Sequence, residues 1–121
     1  MILADTSIWI AHFRSRSEEF AALVSDGQIV MHPLIIGELA CGNLTSREKV
    51  FFHLRSLPPA KIATHAEALH TLEHHRLWGR GLGWVDISLL ASAMLSGCNL
   101  WTLDKGLSLA ARQLHCKHVP N

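Results

Sequence analysis

Ile2-Leu3-Ala4-Asp5-Thr6-Ser7 puts three apolar residues, an acid and two hydroxyls in a row, and Ile8, Trp9, Ala11, His12 and Phe13 follow at a spacing that suits a short helix. Strand, carboxylate, helix is therefore the opening pattern. The same order returns far along the chain, where Asn99-Leu100-Trp101-Thr102-Leu103 reads as a strand and Asp104 as the cap of a helix carrying Leu107, Ala110, Ala111 and Leu114. Between them, Gln28-Ile29-Val30-Met31 reads as a second strand and Lys61-Ile62-Ala63 as a third. His115-Cys116-Lys117-His118-Val119 reads as a last one. Short apolar strands that alternate with helices need crossover connections, which predicts an α/β fold: a three-layer α/β/α sandwich around a parallel sheet of four to five strands. A length of 121 residues suits one domain spanning 1–121.

The helices between the strands have their own signals. Ser15 with Glu18, Thr45 with Glu48, and Thr64 with Glu67 each have capping-box spacing. They precede the apolar sets Phe20, Leu23, Val24; then Val50, Phe51, Leu54, Leu57; and finally a helix running to about Leu77. Pro33 starts a helix that contains Glu38 and closes at Gly42-Asn43. Trp78-Gly79-Arg80-Gly81-Leu82-Gly83-Trp84 alternates glycine with larger residues and is a loop, feeding an apolar helix from about Val85 to Ser96.

Composition narrows the function. With 49% hydrophobic and 17% charged residues the chain is neither disordered nor a solvated rod, and its apolar excess suits a dimer or a tightly held partner. A net charge of +1 removes the bulk electrostatic footprint of many nucleic-acid binders, so any contact with nucleic acid has to come from a local patch. Cys41, Cys98 and Cys116 are odd in number and show no paired spacing, which predicts reduced, mostly buried thiols. Asp5 interrupts the first apolar run, leaving no leader and no membrane span, so a cytoplasmic location is expected.

Four acids stand where a solvated acid is out of place: Asp5 in an apolar run, Glu38 within Leu34-Ile35-Ile36-Gly37-Glu38-Leu39, Asp86 between Val85 and Ile87, and Asp104 after Trp101-Thr102-Leu103. Singly, each has a structural explanation. Asp5 and Asp104 suit helix caps, Asp86 suits a first helical turn, and Glu38 suits a solvent face. Jointly they point elsewhere, because ligands in such sheets bind beyond the carboxyl ends of the strands, where Asp5 and Asp104 fall. Gathered carboxylates repel unless a cation neutralises them, and an all-oxygen set fits Mg2+ or Mn2+. Such a centre hydrolyses phosphodiesters.

Ala4-Asp5-Thr6-Ser7, Ile36-Gly37-Glu38-Leu39, Gly81-Leu82-Gly83-Trp84-Val85-Asp86-Ile87-Ser88-Leu89-Leu90-Ala91 and Trp101-Thr102-Leu103-Asp104-Lys105 together resemble the motifs of PIN-domain nucleases, in order and along essentially the whole chain. The nearest branch in that resemblance is the VapC-type toxins of bacterial toxin–antitoxin pairs. The resemblance implies a metal-dependent endoribonuclease that is homodimeric and is inhibited by an antitoxin whose C-terminal segment covers the groove. It assigns Asp5, Glu38, Asp86 and Asp104 to metal binding and water activation, with Ser7 orienting Asp5 or capping its helix. An antitoxin arginine among these acids makes physical sense, since its fork satisfies carboxylates bidentately. Some family members carry a further acid after the last motif; Lys105-Gly106-Leu107-Ser108-Leu109-Ala110 has none, which bears on whether a second ion binds.

Rival readings rest on fewer residues. His70-Thr71-Leu72-Glu73-His74 matches a zinc-hydrolase pattern with two imidazoles on one helical face, but a catalytic zinc needs a third ligand and a cleft. A receiver domain needs an acid closing the third strand, where Lys61-Ile62-Ala63-Thr64 has none, and an aspartyl phosphatase needs one where Ser7 stands. A non-catalytic binding module follows if the acids are caps alone. The segment from His74 to Trp84 mixes Arg76 and Arg80 with Trp78 and Trp84, which suits phosphate contact and base stacking; the alternative is that both tryptophans anchor the loop in the core.

Overall fold

The structure, a computed structural model, describes all residues 1–121. Three strands form its sheet: β1 (Ile2–Ala4), β2 (Ile29–Val30) and β3 (Asn99–Trp101). They are parallel in the order β2-β1-β3, with Leu3 opposite Val30 on one side and Leu100 on the other. Successive strand residues face opposite sides of a sheet, and Ile2, Leu3 and Ala4 are all buried, so helices cover both faces. The helices are α1 (Thr6–Arg14), α2 (Glu18–Ser25), α3 (Pro33–Ala40), α4 (Arg47–Arg55), α5 (His65–His74), α6 (Trp84–Ser96) and α7 (Lys105–Gln113).

The sheet is smaller than the expected four to five strands. Where a third strand was expected at Lys61-Ile62-Ala63, only a one-residue parallel bridge pairs Met31 with Pro59. Pro58 and Pro59 have no N–H to donate to a ladder, and the amides of Lys61 and Ala63 donate instead to the hydroxyls of Ser96 and Ser92 on α6. The last expected strand is likewise one bridge, Leu100 with Lys117, because His115 turns through a left-handed conformation (φ 58) just before it.

Local capping followed the sequence in part. Thr64 and Glu67 form the expected reciprocal box. Ser15 and Glu18 do not: α1 runs on to Arg14, the Ser15 amide is spent on Ala11, and Ser17 caps α2 instead. Thr45 and Glu48 do not either, since Ser46 precedes α4 at φ 54 with no side-chain cap bond, while Arg47 reaches back to the carbonyls of Ala40 and Gly42. Glycine is required after α6, where Gly97 has φ 66 and returns its amide to the last turn.

One buried polar network ties the layers together. His32 is 1% exposed; its Nδ1 accepts from the Leu34 amide, so Nε2 carries the proton and donates to Ser92 Oγ at 3.0 Å. Burial holds the imidazole pKa below its ordinary value of 6.5. The unfolded chain therefore binds more protons than the folded one below that pH, and stability is full above about 6.5 and declines as the pH falls towards the folded pKa. Urea titrations at pH 7.5 and pH 5 should show this loss, and His32→Asn, which keeps a cap acceptor, should flatten it. An unchanged slope in that variant would assign the acid sensitivity to other histidines.

Candidate active site

Because β1 is central and its two neighbours lie on opposite sides, the chain leaves the carboxyl ends of β1 and β3 side by side, at the point where ligands bind such sheets. Asp5 follows β1 directly, and its amide extends the ladder to Trp101 O at 2.9 Å. Asp104 follows β3 after a two-residue turn. Both are helix caps: Asp5 Oδ1 accepts from the Ile8 amide at 3.3 Å, and Asp104 Oδ1 from the Leu107 amide at 2.8 Å.

Asp5 has more donors than a cap needs. It is only 7% exposed, Ser7 Oγ donates to Oδ1 at 2.5 Å, and Thr102 Oγ1 donates to Oδ2. Thr102 also accepts from the Asp104 amide at 3.0 Å, and Ser7 from the Leu103 amide at 3.0 Å, so the two strand ends are laced together through hydroxyls. From the other side, Thr6 Oγ1 donates to Glu38 Oε1 at 2.8 Å and brings α3 to the start of α1. Asp86 sits in the first turn of α6, where its Oδ2 accepts from the Gly83 amide at 2.9 Å. The loop before it passes Asp104: an atom at the Cβ position of Gly106 would stand 3.3 Å from Asp104 Oδ1 and 3.8 Å from Arg80 O. The loop is thus in ordinary van der Waals reach of position 106, and the tight neighbour there is the Asp104 carboxylate itself.

Glu38, Asp86 and Asp104 each leave one carboxylate oxygen without a protein partner. None of the four acids has a protein cation on it, for the one ion pair in the chain joins Arg16 to Glu18 on the surface. These hard oxygen donors fit magnesium or manganese far better than a soft metal. As they stand, no three Asp, Glu, His or Cys side chains close around a single point: Thr102 joins Asp5 to the Asp104 amide, Thr6 brings Glu38 to the start of α1, and no hydrogen bond ties the Asp86 carboxylate to the other three. The same fact leaves the zinc reading without its third ligand: His70 and His74 do stack on one face of α5, ring centroids 5.3 Å apart, with nothing to complete a catalytic site.

Thr6 and Thr102 had no role in the sequence reading. Their signal was present, since each lies within two residues of an acid, but a hydroxyl beside a carboxylate is too common to select. Neither tryptophan of the loop anchors it: Trp78 and Trp84 are exposed and the buried residue is Leu77, with Trp84 resting on His65. Arg76 and Arg80 are also exposed, and Arg80 turns along α7 to bond Gln113 Oε1 at 2.5 Å. Cys98 and Cys116 are buried and free, and burial raises both thiol pKa values; Cys41 is free but exposed.

The family profile described as PIN domain matches residues 2–113. The chain belongs to the PIN-domain family. Within that family it is of the VapC type, being 44% identical over 114 residues to Ribonuclease VapC32 of Mycobacterium tuberculosis, strains CDC 1551 / Oshkosh and H37Rv, across 93% of this chain and 92% of the relative. Among solved structures, PAE2754 from Pyrobaculum aerophilum matches with a TM-score of 0.62 at 20% identity, covering 90% of this chain and 78% of that one. FitAcB from Neisseria gonorrhoeae matches at 0.60 and 19% identity, covering 93% and 94%. At such identities these two establish the shared PIN fold alone. No helix of this PIN-domain protein is long and apolar enough to cross a membrane.

Proposed function

We propose that this PIN-domain protein is the toxin of a toxin–antitoxin pair, an endoribonuclease that hydrolyses RNA phosphodiesters at Asp5, Glu38, Asp86 and Asp104 with a divalent cation, Mg2+ or Mn2+. The observation that carries the reading is the over-supplied Asp5: a buried carboxylate with hydroxyl donors from two chain segments, joined through Thr102 to Asp104 and flanked by acids that have no cation of their own. The ribonuclease name of the VapC relative supports it.

When bound, the cation supplies Lewis acidity and a water of lowered pKa. Asp5, locked by Ser7 and Thr102, is the fixed member of the set, and the unpartnered oxygens of Glu38, Asp86 and Asp104 would have to draw in to complete it. A carboxylate takes the proton of the attacking water as the new bond to phosphorus forms. The bond to the leaving ester oxygen breaks, and that oxygen acquires a proton from solvent. Arg76 and Arg80, both exposed, contact the RNA backbone, Arg80 after leaving its bond to Gln113. The same acids give an antitoxin arginine its bidentate partners, and a homodimer uses apolar surface left exposed, such as Leu69, Met94 and Leu95 on α5 and α6. The protein works in the cytoplasm, where its RNA is.

Incubation of antitoxin-free protein with total cellular RNA under magnesium, manganese or chelator tests this. Discrete fragments with either metal and none with chelator are expected, and intact RNA in every lane would overturn it. Thr102→Val, which keeps shape and removes the hydroxyl linking Asp5 to the Asp104 amide, should lower cleavage about 10–100-fold with the fold intact, as loss of a ligand's supporting hydrogen bond does elsewhere.

A further inference from the structure

His70 and His74 stand one turn apart on the exposed face of α5, their rings nearly parallel at 17° and their centroids 5.3 Å apart. We propose that this pair is a binding site for a borderline divalent transition-metal ion, Zn2+ or Cu2+, which has no part in catalysis and shares no residue with the acid rim. The site stands whether or not the chain cuts RNA.

Helix geometry makes the pair. Residues four apart in an α-helix lie one above the other on one face, which is why zinc-binding helices use histidines at this spacing. The distance then fits the ion. With metal–nitrogen bonds of about 2.0–2.1 Å and a nitrogen about 1.1 Å from its ring centre, two imidazoles on one tetrahedral ion have centroids about 5 Å apart. His70 and His74 are already at that separation, so binding asks only for rotation of the two rings about their side-chain bonds.

The rings are also free to bind. Both are exposed, and neither pairs with a carboxylate, since the one ion pair in the chain joins Arg16 to Glu18. Glu73, between them in sequence, and Glu67, which walls the same α5–α6 groove as His70, are likewise without a cation. Ring nitrogens select the kind of ion: imidazole suits zinc and copper, whereas magnesium and manganese prefer the carboxylate oxygens at the strand ends. Two classes of cation are thereby sorted between two places on the molecule.

His75 adds no third ligand. Its ring stands edge-on to that of His74, at 88°, and no three His, Cys, Asp or Glu side chains converge on one point. The remaining positions fall to water, which makes the ion exchangeable, unlike one in a closed structural site. Its effect is on stability: an ion held across consecutive turns binds only while those turns are helical, so it favours the folded chain by mass action.

The test is calorimetric titration of tag-free protein with zinc and with copper in excess magnesium, beside His70→Gln, His74→Gln, His75→Gln and Asp5→Asn, each checked for folding by circular dichroism. Wild type should bind one equivalent, and its copper form should show hyperfine coupling to two nitrogens by electron paramagnetic resonance. His70→Gln and His74→Gln, both exposed changes, should weaken binding about tenfold or more, because the second imidazole is an intramolecular ligand at high effective concentration. His75→Gln and Asp5→Asn should bind as wild type does. Zinc at about a hundred times its measured Kd should raise the folding equilibrium constant of wild type about a hundredfold, read from the thermal midpoint, and that of either weakened variant about tenfold or less. Absence of binding by wild type would overturn the proposal. So would binding that survives both substitutions, that is lost in Asp5→Asn, or that falls as far in His75→Gln as in His74→Gln.

Discussion

Asp5→Asn should lower metal-dependent RNA cleavage by ~10²–10⁴-fold, the usual contribution of a positioned acid or base, and leave the protein folded. The two roles of Asp5 separate cleanly in this substitution. As a cap, asparagine serves α1 as well as aspartate does, so the bond from the Ile8 amide survives. Ser7 Oγ goes on donating to the oxygen that holds the Ile8 cap, and the Thr102 hydroxyl rotates to accept from the amide nitrogen that replaces the other oxygen. What is lost is the negative charge. Rates on total RNA with magnesium and with manganese, beside a urea titration, measure both quantities. A variant that cleaves like wild type would reduce Asp5 to a cap and remove the main support for catalysis at this rim.

Leu3→Ala should cost ~2–5 kcal/mol of folding stability, the range for truncating a fully buried leucine, and move the thermal midpoint down by ~10–20 °C. Leu3 has no exposed surface, lies in the middle of the central strand, and pairs with Val30 on one side and Leu100 on the other. A three-stranded sheet has little redundancy, so a cavity at its centre is felt by both neighbours and by the helices on either face. Thermal unfolding followed by circular dichroism measures this, and a loss below 1 kcal/mol would mean that the core collapses around the gap. Metal-dependent cleavage at low temperature should persist in the folded fraction, which separates this effect from that of Asp5→Asn.

How far the sequence could be read varied with the range of the interaction. Helices with an apolar face and a local start signal were legible: α6 begins within a residue of its expected start at Val85, and the Thr64–Glu67 box is present as spaced. Equal spacing at Ser15–Glu18 and Thr45–Glu48 gave no box, because a cap depends on where the preceding element ends and on backbone angles that the spacing does not encode. The strand at Lys61 failed for a similar reason. Its composition allowed a strand, but the amides found serines on α6, partners 35 and 29 residues away.

The acids show the same division. Sequence placed Asp5 and Asp104 after strands, and an α/β pattern sends the ends of parallel strands to one edge, so their juxtaposition followed from local order plus a general rule of such sheets. For Asp86 only the start of its helix pointed to the same rim, and the inclusion of Glu38 and Asp86 rested more on family resemblance. What the sequence determined by itself was therefore the strand–acid–helix units and the parallel fold, since both arise from short-range periodicity and chain connectivity. Only the tertiary structure decided that Thr102 and Ser7 lace Asp5 to the Asp104 turn, that Thr6 reaches Glu38, and that the loop before Asp86 passes over Gly106. Each of these joins residues tens of positions apart, and which hydroxyl meets which carboxylate is set by how the layers pack, a quantity that no local window of sequence contains.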